Sequence, residues 1–197
     1  MESIYDGKEE EMNRVMNDAI REISAFSQEE KEKNGENPIE HLISRIKTED
    51  SMREKLRRRG LEETPENALN VLTDAIGIRV VCAFRNDVYL IRDWLRESDK
   101  FEVIQEKDYI KKAKDNGYRS YHMITRFEGY YIEIQIRTIS MDTWAALEHQ
   151  IRYKKNVGGN IDLISAELKR CADDLASTDI SMQTLRDMIR SMDNKEA

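Results

Sequence analysis

The sequence predicts an α+β domain in which a mixed β-sheet is flanked by helices. Three observations carry that expectation. Between residues 77 and 138 the apolar residues leave helical spacing for alternation and short runs. A helical segment separates the first two of these runs, whereas only two residues separate the last two. Both ends of the chain carry long charged stretches with apolar residues at helical spacing. A strand, helix, strand order favours a parallel pair and a two-residue connection makes an antiparallel hairpin, so the sheet has to be mixed. One core commonly takes roughly 100 to 200 residues. The 197 residues therefore read as one domain, with its core at about 38–156 and helical extensions at 5–33 and 161–192.

Taken in order, Met12, Val15, Met16, Ala19, Ile23 and Phe26 make residues 5–33 a long amphipathic helix that KNGENP ends. A short helix is expected after Pro38. Thr48 is placed to cap a further helix with Glu49 and Asp50 in its first turn, Arg57 to Arg59 in its last, and Gly60 as its stop. Thr64-Pro65 supplies a cap and a first-turn proline for the helix PENALNVLTDAI, which ends beside Asp74, just ahead of a strand. GIRVVCAF (77–84), FEVIQEK (101–107), YRSYHMITRF (118–127) and YYIEIQIRT (130–138) read as strands, and a helix at 86–98 lies between the first two, which are expected to pair in parallel. The helix MDTWAALEHQIRYKK follows, with Trp144, Leu147 and Ile151 as a core stripe and Glu148 in reach of Arg152. NVGGN separates it from the last helix.

The chain is 39% hydrophobic and 36% charged, which fits a folded protein with charged helices. A net charge of −7 argues against a general nucleic-acid coat, while local basic clusters in SRIK, KLRRR and KDYIKKAK suit a bounded anionic ligand. Cys82 and Cys171 have no zinc-ligand neighbours and are expected to be buried free thiols. No apolar stretch approaches the roughly 20 residues of a membrane span, and the first residues lack a signal-peptide core, so a cytoplasmic protein with no membrane partner is expected.

If Glu128 and Gly129 form the loop, Phe127 faces Tyr130, His122 faces Gln135 and Ser120 faces Arg137. Tyr121, Met123, Ile132, Ile134 and Ile136 then share one side of the sheet. Tyr118, Ser120, His122, Glu133, Gln135 and Arg137 share the other. A solvated outer face is the commoner explanation of such a polar side. Against it stands the residue choice, which gathers an aromatic, an imidazole, a carboxylate and a guanidinium beside a basic loop and suits an anionic, aromatic ligand. Asp74 and Glu133 are candidates to share a Mg²⁺, which takes one or two protein carboxylates and fills its octahedron with water and phosphate. Asp74 equally suits a plain turn hydrogen bond, and spacing does not decide between the two. Arg45, Lys47, Lys55, Arg58, Lys111, Lys112 and Lys114 each read singly as surface charges. Arg79, between Ile78 and Val80 in a strand, does not. No histidine precedes an aspartate, which excludes a metal-dependent hydrolase of the paired His-Asp kind.

LTDAIGIRVVCAF, KDYI, NGYRSYH, EIQIRT and WAALEHQIRYK, in that order over about residues 40–156, resemble the RelA/SpoT-type alarmone synthetase domain, in its small single-domain branch. The resemblance implies a nucleotidyltransferase-like fold and transfer of pyrophosphate from ATP to the 3′-hydroxyl of GDP or GTP, giving AMP and (p)ppGpp. It implies that Asp74 and Glu133 hold Mg²⁺, with Glu133 beside the attacking hydroxyl. Arg45 and Arg79 would flank adenine, and Lys47, Lys55 and Arg58 would meet ATP phosphates. Tyr118 would stack on guanine, Lys112 and Lys114 would meet the acceptor's 5′-phosphates, and Asn116, His122 and Gln135 would line the acceptor side. The chain departs from the family where Ala113 and Asp115 stand in a loop that is often proline-containing, which implies a looser acceptor loop. The resemblance further implies a homo-oligomer, a tetramer by preference, and single-stranded RNA as a candidate regulator. Two other readings compete: an enzyme of the same fold with another acceptor, and an idle RNA-binding scaffold, which the presence of both acids disfavours.

Overall fold

Long-range pairing in the middle of the chain organises the molecule, and the computed structural model describes residues 3–153 and 161–196 of it. The elements are α1 (Glu9–Asn34), β1 (His41–Ile46), α2 (Glu49–Arg59), β2 (Ile76–Cys82), α3 (Arg85–Glu97), β3 (Glu102–Asp108), β4 (Tyr121–Phe127), β5 (Tyr130–Thr138), α4 (Ile139–Tyr153) and α5 (Ile161–Glu196). The five strands form one sheet in the order β1-β2-β5-β4-β3. β2 and β5 are parallel; the other three pairs are antiparallel. The sheet is mixed, as expected, with helices against it.

The β4–β5 register is the expected one, with Phe127 opposite Tyr130 and His122 opposite Gln135. Glu128 and Gly129 both have positive φ, 47° and 86°, the mirror-image turn whose twist suits a two-residue hairpin. Met123, Ile132, Ile134 and Ile136 are fully buried together with Ile76 and Val80 on the apolar side. That side is covered by α1, through the six residues its spacing nominates, and by Val88, Ile91 and Leu95 of α3. α2 has the expected ends: Thr48 Oγ1 accepts from Ser51 N, and Gly60 turns left-handed at φ 67°.

Five expectations give way to tertiary structure. Residues after Pro38 form no helix but the edge strand β1, where Leu42, Ser44 and Ile46 are half-buried and His41, Ile43 and Arg45 are exposed. Antiparallel pairing with β2 supplies hydrogen bonds that a helix so short would hardly gain. The helix that opens at Pro65 ends early, in a π-helical turn, Asn67–Val71, and the chain bends at Leu72, Thr73 and Ala75 before β2 starts at Ile76, so Asp74 lies in a connection rather than at a helix end. The strands on either side of α3 do not pair. β5 and β4 lie between β2 and β3, so the parallel partner of β2 is β5. Trp144 is buried, but Leu147 and Ile151 are exposed and belong to no core stripe within the described residues. The Arg152 side chain, invoked as a partner of Glu148, lies outside the described residues, as does NVGGN. Cys82 is buried as expected; Cys171 is exposed.

α5 returns along the molecule and is fixed at several points. Trp144 Nε1 donates to Leu168 O at 2.7 Å, Thr138 Oγ1 donates to Asp179, and the buried Arg186 makes two bonds, 2.7 and 2.9 Å, to Asp87 at the start of α3. Among the described residues no helix is long and apolar enough to cross a membrane.

Candidate active site

Strand pairing puts Arg45, Gly77, Glu133 and Ile124 in one row across the sheet and Ile43, Arg79, Gln135, His122 and Lys107 in the next. These rows are the polar face. Gly77 has no side chain, and a hollow of about 190 Å³ opens there, lined by Arg45, Lys47, Asp74, Arg79, Glu133 and Gln135 among others. A second hollow of about 220 Å³ is lined by Lys107, Tyr109, Lys114, His122, Ile124 and Glu133. Glu133 borders both.

The order acid, amide, base along β5 now has a geometric explanation. Side chains two apart on a strand share a face, and an amide can donate to an acid on one side while it accepts from a base on the other. Gln135 Nε2 donates to Glu133 Oε2 at 2.9 Å, and Gln135 Oε1 accepts from Arg137 Nη2 at 2.8 Å. Arg137 is 4% exposed. Its Nη2 also donates to the Tyr118 hydroxyl at 2.7 Å, and its Nη1 to Asp142 Oδ1 at 3.1 Å. The Tyr118 hydroxyl, which accepts from Arg137, is also hydrogen-bonded to His122 Nε2 at 2.7 Å. The other ring nitrogen, Nδ1, lies 3.5 Å from Glu133 Oε1. Burial raises the Glu133 pKa, but the hydrogen bond and charge of His122 and the bond from Gln135 outweigh it, and the carboxyl lies below its ordinary value.

Asp74 is held differently. Burial pushes it up, and the ammonium groups of Lys47 and Lys55 more than offset that, so it too lies below its ordinary value. Both ammoniums meet Oδ2, Lys55 at 2.6 Å, while the buried Oδ1 has no hydrogen-bond partner. The Tyr5 hydroxyl donates to Lys47 O at 2.6 Å and fixes the backbone beneath this group. Arg79 is half-buried, pairs with Asp142 at 3.1 Å, and has a buried Nε with no partner. Burial, then the neighbouring Arg137, hold its guanidinium below the usual value. Among the described residues no cluster of three or more His, Cys, Asp or Glu side chains forms a ready-made metal cage. The unpartnered Asp74 oxygen beside Glu133 instead fits an ion that takes only one or two protein carboxylates.

The structure thus brings Arg45, Lys47, Asp74, Arg79, Glu133 and Gln135 to one hollow and Lys114, His122 and Glu133 to the other. Lys55 reaches the first through Asp74. Tyr118 reaches the second through His122 and Lys114, whose ammonium is 4.7 Å from the centroids of both the Tyr118 and Tyr109 rings. Arg58 and Lys112 are exposed and line neither hollow. Asn116 holds the loop, its Oδ1 accepting from Tyr118 N at 3.1 Å. Sequence reasoning missed Tyr109, which stands edge-on to Tyr118 and His122, and Asp142, which pairs with two arginines. An aromatic within the basic run KDYIKK was the available signal for Tyr109; spacing offered none for Asp142.

Residues 44–158 match the model of a region found in RelA / SpoT proteins. The GTP pyrophosphokinase YwaC of Bacillus subtilis (strain 168) is 42% identical over 142 residues, 68% of this chain and 68% of that protein. The GTP pyrophosphokinase YjbM of the same strain is 32% identical over 158 residues, 76% of this chain and 72% of that protein. Among solved structures, the small alarmone synthetase 2 from Bacillus subtilis superposes with a TM-score of 0.79 at 35% identity, covering 90% of this chain and 96% of that one. The small alarmone synthetase 1 from the same organism, bound to its product pppGpp, gives 0.79 at 26% identity, covering 90% and 94%.

Proposed function

The chain belongs to the RelA/SpoT family, and from that premise we propose that it is a GTP pyrophosphokinase, which transfers pyrophosphate from ATP to the 3′-hydroxyl of GDP or GTP and releases AMP and (p)ppGpp. The observation that carries the reading is that one carboxylate, Glu133, borders two hollows, one lined by Arg45, Lys47 and Arg79 and the other by Tyr109, His122, Lys107 and Lys114. A two-substrate transfer needs its acceptor hydroxyl where such sites meet.

The hollow with Arg45, Lys47, Asp74 and Arg79 takes ATP. Arg45 and Arg79 share a sheet face and flank adenine, and the unpartnered Arg79 Nε is a donor still to be satisfied. Lys47, Lys55 and Arg58 meet the phosphates. Asp74 and Glu133 would hold Mg²⁺, which when bound neutralises charge on the phosphates. The other hollow takes the guanine nucleotide. Tyr118 is the stacking platform, with its hydroxyl pinned by Arg137 and His122. Lys114, now over its ring, has to move aside for the base, and together with Lys112 it meets the 5′-phosphates. Asn116, His122 and Gln135 line and hold this side. Glu133 is ionised at neutral pH and accepts the 3′-hydroxyl proton. A carboxylate of lowered basicity takes it only as the new bond to phosphorus makes the hydroxyl acidic.

The chain as a single synthetase domain working in the cytoplasm, and single-stranded RNA as its regulator, complete the reading. A homotetramer is proposed too, supported by Met182, Leu185, Ile189 and Met192, spaced three, four and three apart and exposed along α5. The test is to incubate the protein with Mg²⁺ and labelled ATP plus GDP, GTP, ADP or no acceptor, and to separate the products. AMP release that depends on a guanine nucleotide is expected; equal ATP hydrolysis without acceptor would overturn the reading. RNA added to the same assay, and light scattering of the protein, check the regulator and the subunit number.

A further inference from the structure

Arg79 on β2 and Arg137 on β5 are diagonal neighbours on one face of a parallel pair, since Arg79 is opposite Gln135 and Val81 is opposite Arg137. Two guanidiniums on a half-buried surface repel, and water screens them poorly there. A single oxygen, Asp142 Oδ1, lies 3.1 Å from Nη1 of both. Among the described residues it is the only carboxylate within ion-pair distance of either arginine. The two cations have different dependants. Arg137 grips the Tyr118 hydroxyl, whereas Arg79 faces the hollow that contains Asp74.

Asp142 is itself firmly seated. It stands in the first turn of α4, where the helix dipole favours an anion. The preceding Thr138 accepts from Met141 N at 3.2 Å, which caps that turn, and donates to Asp179 on α5. Its side chain is 16% exposed, so it is not a freely moving surface acid.

We infer that Asp142 is a positioning residue that ties the ATP half-site to the guanine half-site, through Arg79 on one side and Arg137 with Tyr118 on the other. The inference rests on the assignment of the two hollows above. With the shared carboxylate in place, each guanidinium has one orientation. Without it, the pair moves apart and both sites loosen.

The experiment is steady-state kinetics of Asp142→Asn, which keeps shape and removes charge, with ATP and GDP varied in turn and AMP measured. Loss of the charge-assisted hydrogen bond to Arg137 and of the ion pair to Arg79 should raise both KM values, by about tenfold each. Asp142→Glu, which retains the carboxylate, should recover most of the loss. A wild-type protein that shows guanine-dependent AMP release, beside an Asp142→Asn variant whose KM values stay within about twofold or of which only one rises, would sink the inference and leave the proposed function standing. A wild-type protein without that release would sink the function itself. If Asp142→Asn does not fold, the double variant Arg79→Met/Asp142→Asn decides. Relief of the repulsion should let it fold where Asp142→Asn alone does not, and an acid that merely stabilised the helix start would give no such rescue.

Discussion

Gly117→Ala tests how the proposed guanine platform is held. Gly117 has φ +93° in a loop that Lys114 and Tyr118 close, Lys114 N donating to Tyr118 O at 3.1 Å and Gly117 N to Lys114 O at 2.8 Å. A side chain at that φ costs about 1 to 2 kcal/mol. The new Cβ would lie 2.6 Å from Ala172 Cβ and 3.3 Å from Lys169 Cα, both on α5. Overpacking of this kind costs roughly 1 to 3 kcal/mol more. The loop has to leave α5, and with it go the bonds from Arg119 to Ala172 O at 3.2 Å and to Asp173 at 2.8 Å. Tyr118, between Gly117 and Arg119, moves with them. A KM for GDP raised about tenfold or more is expected, because a lost base-stacking platform is worth roughly 1 to 3 kcal/mol. The KM for ATP should hold, since that hollow contains no part of the loop. The melting temperature should fall by about 2 to 4 °C for each kcal/mol lost. Adding Ala172→Gly removes the clash but not the backbone strain, so the GDP KM should recover in part, while a glycine inside α5 costs about 1 kcal/mol of its own. An unchanged GDP KM in Gly117→Ala would refute the reasoning and mean that α5 does not set the loop in the working enzyme.

Three further outcomes are expected. Tyr118→Ala should raise the KM for the guanine nucleotide about tenfold and spare that for ATP, whereas Glu133→Gln should lower kcat; near-normal kcat in Glu133→Gln would move the chemistry elsewhere. Arg186→Met leaves Asp87 buried without its partner and should cost about 3 to 5 kcal/mol in denaturant titration, much of it regained by adding Asp87→Leu; equal loss in both variants would refute the clamp. The bond from Arg96, which outweighs the effect of burial, and the bond from Tyr121 hold Glu106 below its ordinary value. A carboxyl so depressed stabilises the fold fully above its unfolded pKa of about 4.3 and loses that contribution as pH falls through the folded value. Melting temperature followed from neutral pH down to about 3 should therefore drop less in Glu106→Gln than in the wild type, and parallel curves would refute the point.

Where a signal lay within a few residues, the sequence by itself determined the outcome. The apolar spacing of α1, the Thr48 and Gly60 ends of α2 and the two-residue turn at Glu128-Gly129 depend on nearest-turn hydrogen bonds and on side-chain period, and all three are as the residues imply. From that turn the register followed, and with it the shared face of His122, Glu133 and Gln135. The ordered motifs carried the family. Tertiary structure alone decided what depended on partners distant in the chain. HLISRI is a strand because β2 lies beside it, and β2 pairs with β5 rather than β3 because the β4–β5 hairpin inserts between them. No local period encodes either choice, since the free energy of pairing is gained only after a long loop closes. For the same reason Asp74 against two lysines, Asp142 between two arginines and Gly117 against Ala172 could not be read from spacing. Each joins side chains or backbone from segments that meet only when the sheet and α5 are in place.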